Sequence, residues 1–290
     1  MYFCHIVKNC LFKKSMAEKV SHKLLDVSEA LRSKNPKLYR WMPKFAIRAI
    51  ERLIHQDEMN QLVDDNFDDS SIDFAHHIVD YFQVGLEIHG EENIPRTGRY
   101  IVASNHPLGG LDGMAMISTL GKYRSDIKCP VNDLLMQVKP MHEVFMPINK
   151  HGRNSLESMK QLEDVFASDE IILYFPAGLC SRKQNGVIRD LDWKKTVITK
   201  ARQFQRDIIP VHFDGRNSNR FYNLANLRKK LGIKVNLEFV FLPDEMFRQR
   251  GQHFTITFGA PIPYSTFDHS HTDAEWASWL KEQVYSLKQA

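Results

Sequence analysis

The sequence predicts an α/β fold: a mixed, largely parallel sheet flanked by helices and preceded by an N-terminal helical module. Three observations carry this. From Tyr100 onward, short apolar runs alternate with stretches whose apolar residues recur every three or four positions, as strands alternating with helices do. The run Ile171-Ile172-Leu173-Tyr174-Phe175, stopped by Pro176-Ala177-Gly178, reads as a strand buried on both faces. A glycine-rich turn joins the apolar run Tyr100-Ile101-Val102-Ala103 to the apolar helix start Met114-Ala115-Met116-Ile117.

Composition narrows the class. At 290 residues the chain can hold one large α/β domain with an added segment or two small ones, and 43% apolar with 26% charged residues is globular rather than disordered. The 39 Lys and Arg against 35 Asp and Glu leave a net charge of +4, which does not by itself imply nucleic acid. No run approaches the roughly 18 consecutive apolar residues of a membrane span, so membrane contact is expected to be peripheral. Cys4, Cys10, Cys129 and Cys180 show neither metal nor disulfide spacing, which fits a reducing cytoplasm. Helical character begins at Met16, a candidate start, after a short basic leader that lacks a secretory signal's apolar core.

The elements follow in order. Val20, Leu24, Val27 and Leu31 recur at helical spacing over 17–33, and Asn35-Pro36 should end that helix. Across 38–54 an apolar stripe containing Leu38, Trp41, Phe45, Ala49 and Leu53 opposes Lys37, Arg40, Lys44, Arg48 and Arg52, with Pro43 as a break or a first-turn residue. Such a basic amphipathic helix fits either packing on the rest of the chain or an anionic membrane surface. The acidic residues from Asp57 to Asp73 read as a solvated face and a helix start; 72–84 reads as another helix, in which adjacent His76 and His77 make a poor metal pair.

These helices form a module over 1–83. A second unit, 84–290, begins with a short strand over 84–89 and a turn-rich link to the strand at 100–103. Next come a weak strand at 127–130, a strand from 144 to 148 opening into a basic loop, and a helix over 155–168. The strand 171–175, a helix over 193–205, strands at 208–213, 235–241 and 254–258, and a helix over 273–287 complete the chain.

The turn Ser104-Asn105-His106-Pro107-Leu108-Gly109-Gly110-Leu111-Asp112-Gly113 concentrates the chemistry. A helix start offers unpaired N–H groups, and the glycines permit positive φ or close approach of a ligand. With five residues between them, His106 and Asp112 can fold back on each other. The carboxylate then fixes one ring nitrogen and leaves the other basic enough to take a proton from an attacking hydroxyl or amine. The plainer alternative is an Asp that caps the helix and a His on the surface. Three basic stretches accompany this turn: Arg182-Lys183 after Phe175-Pro176-Ala177-Gly178-Leu179-Cys180-Ser181, Lys150-His151 with Arg153, and Arg216 to Lys234. No nucleic-acid module surrounds the last of these, and no spacing offers a metal site.

The first turn resembles the His-and-Asp motif of the glycerolipid acyltransferase superfamily. Its five intervening residues, one more than usual, within Asn-His-Pro-x-Gly-Gly-x-Asp-Gly bring it nearer to a bacterial hemolysin-like branch that includes aminolipid O-acyltransferases. The resemblance covers residues 85–265. Phe175, Pro176, Gly178 and Ser181 match the family's Phe-Pro-Glu-Gly-x-Arg-Ser motif, while Ala177 and Cys180 replace its Glu and Arg. That departure argues against a glycerol-phosphate acceptor more than against acyl transfer. Ile209-Pro210-Val211 matches the last family motif, and His212 beside it is expected to pack or hydrogen-bond.

The resemblance implies that His106, oriented by Asp112, deprotonates a lyso-lipid hydroxyl, which attacks the thioester of acyl-CoA or acyl-carrier protein without a covalent enzyme intermediate. Backbone N–H groups of the glycine turn or after Gly178 are candidates for the oxyanion. Asn105, Gly109, Gly110, Lys150, Arg153, Phe175, Pro176, Gly178, Ser181, Arg182 and Lys183 would bind acceptor or donor. Beyond that thioester co-substrate it implies no cofactor, no metal and no nucleic acid, and it places the protein peripherally on the cytoplasmic face of an anionic membrane. Two rivals stand beside it: a thioesterase using the same pair with water, and a lipid- or nucleic-acid-binding module that keeps only the fold. The lack of a Gly-x-Ser-x-Gly elbow counts against a Ser-dependent hydrolase, and an intact base with its orienter counts against a mere binder.

Overall fold

Runs that are apolar at every position are stable only when covered on both faces, and such runs form the middle of the sheet. The computed structural model describes residues 24–34, 36–132, 135–148, 155–233 and 236–288. Its strands are β1 (Gly85–His89), β2 (Tyr100–Ser104), β3 (Ile127–Val131), β4 (Phe145–Pro147), β5 (Ile171–Tyr174), β6 (Arg182–Gln184), β7 (Val187–Arg189), β8 (Asp207–Asp214) and β9 (His253–Phe258). Seven of them form one sheet in the order β1-β9-β8-β2-β5-β3-β4, and β6 pairs with β7 in a separate hairpin. Only the β8–β9 pair in the large sheet is antiparallel, so the sheet is mixed and largely parallel, as expected.

Register assigns each residue to a face. Val102 lies opposite Leu173 on β5 and Ile209 on β8, and all three point into one core with Phe74 and Ile78, and with Leu111, Ala115 and Ile117. Ile101 lies opposite Ile172 and Ile208 and points into the other core with Val197, Ile198 and Ala201, and with Ala277, Leu280 and Val284. Helices therefore cover both faces, which is why β2, β5 and β8 carry no polar alternation.

The N-terminal helices are α1 (Val27–Lys34), α2 (Pro36–Trp41), α3 (Lys44–Leu53), α4 (Gln56–Asp65) and α5 (Ser71–Tyr81). Residues 1–23, including Cys4, Cys10, Met16 and the first part of the helix expected over 17–33, lie outside the described residues. Ser70 caps α5 by accepting the Asp73 N–H. The acidic stretch is more than a solvated face: it forms α4, whose Leu62 and Val63 join the first core. His76 and His77 do diverge, His76 meeting Ser118 Oγ and His77 meeting Asp69.

The rest comprises α6 (Gly110–Gly121), α7 (Ser155–Ala167), α8 (Thr196–Gln203), α9 (Asn219–Lys230), α10 (Leu242–Arg248) and α11 (Asp273–Ser286). One expected strand is corrected. In place of a strand over 235–241, the structure has a 3-10 turn at Leu237–Phe241. In that turn Glu238 is fully buried between the guanidinium groups of Arg182 and Arg228. Among the described residues, no helix is long and apolar enough to cross a membrane.

Candidate active site

Parallel strands deliver their carboxyl ends to one edge of the sheet, and ligands of such folds bind there. The exits of β2 and β5 are neighbours at that edge, so the residues after Ser104 meet the residues after Tyr174. Gly109 stands before α6 at φ 95, a conformation that favours glycine; a Cβ would lie 3.1 Å from Cys180 Sγ. This turn bends the chain so that Asp112, in the first turn of α6, faces back toward His106.

His106 Nδ1 lies 3.1 Å from Asp112 Oδ2; the His side chain is 19% exposed and the Asp is fully buried. The contact is one of charge and proximity: buried Nδ1 makes no aligned hydrogen bond to Asp112 or to any other described group. Asp112 is itself held: Oδ2 accepts the N–H groups of Leu108 (2.9 Å) and Gly109 (3.3 Å), and Oδ1 accepts that of Gly113 (2.8 Å). This Asp thus caps the helix while its Oδ2 also stands against the imidazole. Burial alone would lower the His106 pKa; the charge and contact of Asp112, helped by Asp190 and opposed by Arg182, raise it above its ordinary value.

The other expected residues divide. Phe175 lays its ring 4.3 Å from the His106 ring, tilted by 30°. Ser181 is buried, its N–H donating to His106 O (2.8 Å) and its hydroxyl to Asp190 Oδ1 (2.6 Å). Asn105 is engaged in holding the turn: its side chain accepts the Phe213 N–H at 2.7 Å and donates to Phe213 O at 2.9 Å, fastening the turn to β8. Gly110 abuts α10, where a Cβ would come 3.6 Å from Met246. Buried Pro176 accepts the Lys194 N–H, and exposed Gly178 turns the chain at φ 65.

Arg182 is corrected from an anion contact to a buried structural group. It pairs with Glu238 at 3.0 Å and donates to Cys180 O at 2.6 Å, which leaves the fork no room for a ligand. Lys183 is half-buried on β6, and its carbonyl accepts from Asn226. Lys150, His151 and Arg153 lie outside the described residues. Ala177 and Cys180 are both buried, and burial pushes the Cys180 thiol up to about 12, so it packs against the glycine turn instead of acting as a nucleophile.

The oxyanion expectation also changes. The N–H groups of Leu108, Gly109 and Gly113 are engaged by Asp112, that of Gly178 by Phe175 O and that of Ser181 by His106 O. Asp190, 3% exposed, was missed by the sequence reading and lies at the centre of these contacts. The available signal was Asn185-Gly186, a strong hairpin turn, which places Asp190 at the exit of β7 and back at the site. Beside the turn lies a cleft of about 870 Å³, lined in part by Asn105, Pro107, Ser181, Arg189, His212 and Tyr285. His212 is buried with its pKa driven down to about 4, chiefly by that burial, and packs edge-on to Tyr285 at 5.5 Å.

Comparison with known proteins bears on this geometry. The chain is 48% identical over 265 residues to a lyso-glycine lipid O-acyltransferase of Bacteroides thetaiotaomicron, covering 91% of this chain and 97% of that protein. It is 45% identical over 265 residues to a protein of the same name from Phocaeicola vulgatus, covering 91% and 95%. Among solved structures, the 1-acyl-sn-glycerophosphate acyltransferase PlsC from Thermotoga maritima is a slight likeness, with TM-score 0.44, 13% identity, and coverage of 85% of this chain and 94% of that one. The family model described as acyltransferase matches residues 29–290, nearly the whole chain. A match of that extent, over a paired His and Asp at the carboxyl edge of the sheet, places this chain in the acyltransferase family and makes it an acyltransferase.

Proposed function

We propose that the protein moves a fatty acyl group from the thioester of acyl-CoA or acyl-carrier protein to the hydroxyl of a lyso-glycine lipid or a closely related lyso-aminolipid. The observation that carries this reading is the Nδ1–Asp112 contact of 3.1 Å in a ring still 19% exposed. One nitrogen is held, and the other is left to receive the proton of the acceptor hydroxyl. The hydroxyl oxygen attacks the thioester carbonyl, the tetrahedral intermediate collapses, and the thiol leaves with the proton returned by the imidazolium. A thioester is already activated, so an oriented base is enough to start the transfer. The glycine headgroup is supported by the names of the two relatives and by Ala177 and Cys180, which replace the acidic and basic side chains of the glycerol-phosphate motif.

The same reading places the protein peripherally on the cytoplasmic face of an anionic membrane. Trp41, at the end of α2, and Phe45, in the first turn of α3, are 89% and 75% exposed, with Lys37, Arg40, Lys44 and Arg48 near them in sequence. Two large apolar side chains left in water in a stretch rich in cations fit the interface of a charged bilayer. Purified protein incubated with radiolabelled acyl-CoA or acyl-carrier protein and a panel of lyso-glycine lipid, lyso-ornithine lipid and lysophosphatidic acid tests the proposal. Labelled diacylated glycine lipid is the expected product. Free fatty acid as the main product, or preference for lysophosphatidic acid, would overturn it.

A further inference from the structure

Asp190 gathers more of the site than any carboxylate except Asp112. Its Oδ1 accepts the His106 N–H at 3.2 Å and the Ser181 hydroxyl at 2.6 Å, and its Oδ2 accepts Trp193 Nε1–H at 3.0 Å. Its own N–H donates to Tyr285 Oη at 2.7 Å, and its carbonyl accepts from Lys281 Nζ at 2.8 Å. Three donors converge on the two oxygens and favour the anion, against burial, which raises the Asp190 pKa above the ordinary carboxylate value. One side chain thus joins the exit of β2, the link from β5 to β6, the exit of β7 and helix α11.

We infer that Asp190 is a positioning residue for His106: it fixes the backbone from which the ring springs and sets a second negative charge beside the imidazole, so that two carboxylates balance the imidazolium formed when the acceptor proton is taken. The charged groups that act on the ring are Asp112 and Asp190, which favour the protonated form, and Arg182, which opposes them while tied to Glu238. From the remaining neighbours, Phe175 carries no charge and the Cys180 thiol stays neutral. The hydroxyl of Ser181, the matching residue of the second motif, is spent on this carboxylate, while its N–H meets His106 O directly.

The inference rests on His106 acting as the base, and the test separates the two. In the full chain, Asp190→Asn preserves size and removes the charge, so it lowers the His106 pKa. The acid limb of kcat/KM moves to lower pH, and kcat falls about 10-fold or more because the base is weaker and less well placed. The acceptor KM changes little. Trp193→Phe removes one donor and keeps the charge, so it leaves the limb where it is. Asp190→Glu, which keeps the charge and shifts its position, holds the limb near the parent's while kcat drops; it serves if the Asn variant fails to fold. An Asn variant with an unmoved limb, or a Glu variant with parental kcat, would show that Asp190 is scaffold only. If His106→Ala abolishes activity while the Asp190 variants match the parent, this inference alone fails; if His106→Ala stays active, the reading beneath it fails.

Discussion

At the carboxyl edge of the sheet, buried charge meets charge: Asp112 faces His106 at 3.1 Å, and Glu238 sits between Arg182 and Arg228. At the amino edge, Arg206 is fully buried and donates instead to the carbonyl oxygens of Val165, Phe166, Ser168, Glu170 and Tyr100. Burial pulls its pKa down only to about 10, so it stays charged and caps the end of α7. The amino edge has a hollow of similar size, about 900 Å³ against about 870 Å³, lined by Arg96, Arg99, Arg124, Asp126 and Asp207 among others. Arg124 there is committed to Asp126, Gly98 O and Asp169 O. Volume therefore does not distinguish the two edges. What does is a group whose proton can move near neutral pH: the carboxyl edge holds one in the His106–Asp112 pair, and the amino edge is locked by backbone dipoles.

The contrast can be broken by exchanging its effects. His106→Ala should cut the acyl-transfer rate about 1,000-fold with little change in melting temperature, because the ring is partly exposed and its loss opens no sealed cavity. Arg206→Met should do the reverse. Five carbonyls lose their donor, stability falls by about 3 kcal/mol or more, and kcat per folded molecule holds. A His106 variant that melts early, or an Arg206 variant that stays folded but inactive, would erase the distinction.

Two smaller effects sharpen it. Gly109→Ala forces a side chain into φ 95 and against Cys180 Sγ at 3.1 Å, costing about 1–3 kcal/mol and disturbing the N–H that Asp112 accepts. Stability and rate should fall together there, as they do at neither edge alone; denaturant melts and initial rates measure this. Trp41→Ala with Phe45→Ala, far from both edges in the chain, should weaken co-sedimentation with anionic vesicles about 10-fold or more. The rate on bilayer-presented acceptor should fall in step, and added salt should weaken binding of the parent.

The carboxyl edge was readable in the sequence where its signals are local. The strands at 100–103, 171–175 and 208–213 stand out because central parallel strands are apolar on both faces. His106 and Asp112 stand out because Asn-His-Pro and three glycines fall within one turn. Asp190 does not, since its partners lie 84, 9 and 3 residues away and no spacing links them. Arg182 looked like a solvated cation beside Lys183 because its partner, Glu238, is 56 residues on. Nor does the alternating pattern over 235–241 show that its Glu238 pairs with Arg182 and Arg228 within a 3-10 turn.

The central claim, that an imidazole held by a carboxylate is the base of this transfer, is tested most directly by titrating it two ways in one preparation. The acid limb of kcat/KM is compared with the His106 ring pKa followed by NMR. Because Asp112 and Asp190 outweigh burial, both values should coincide above the ordinary histidine value of about 6.5, and both should fall in Asp112→Asn, which removes the carboxylate with the stronger effect on the ring. A ring that titrates at or below that value while the kinetic limb lies elsewhere, or a limb unmoved by Asp112→Asn, would contradict the account.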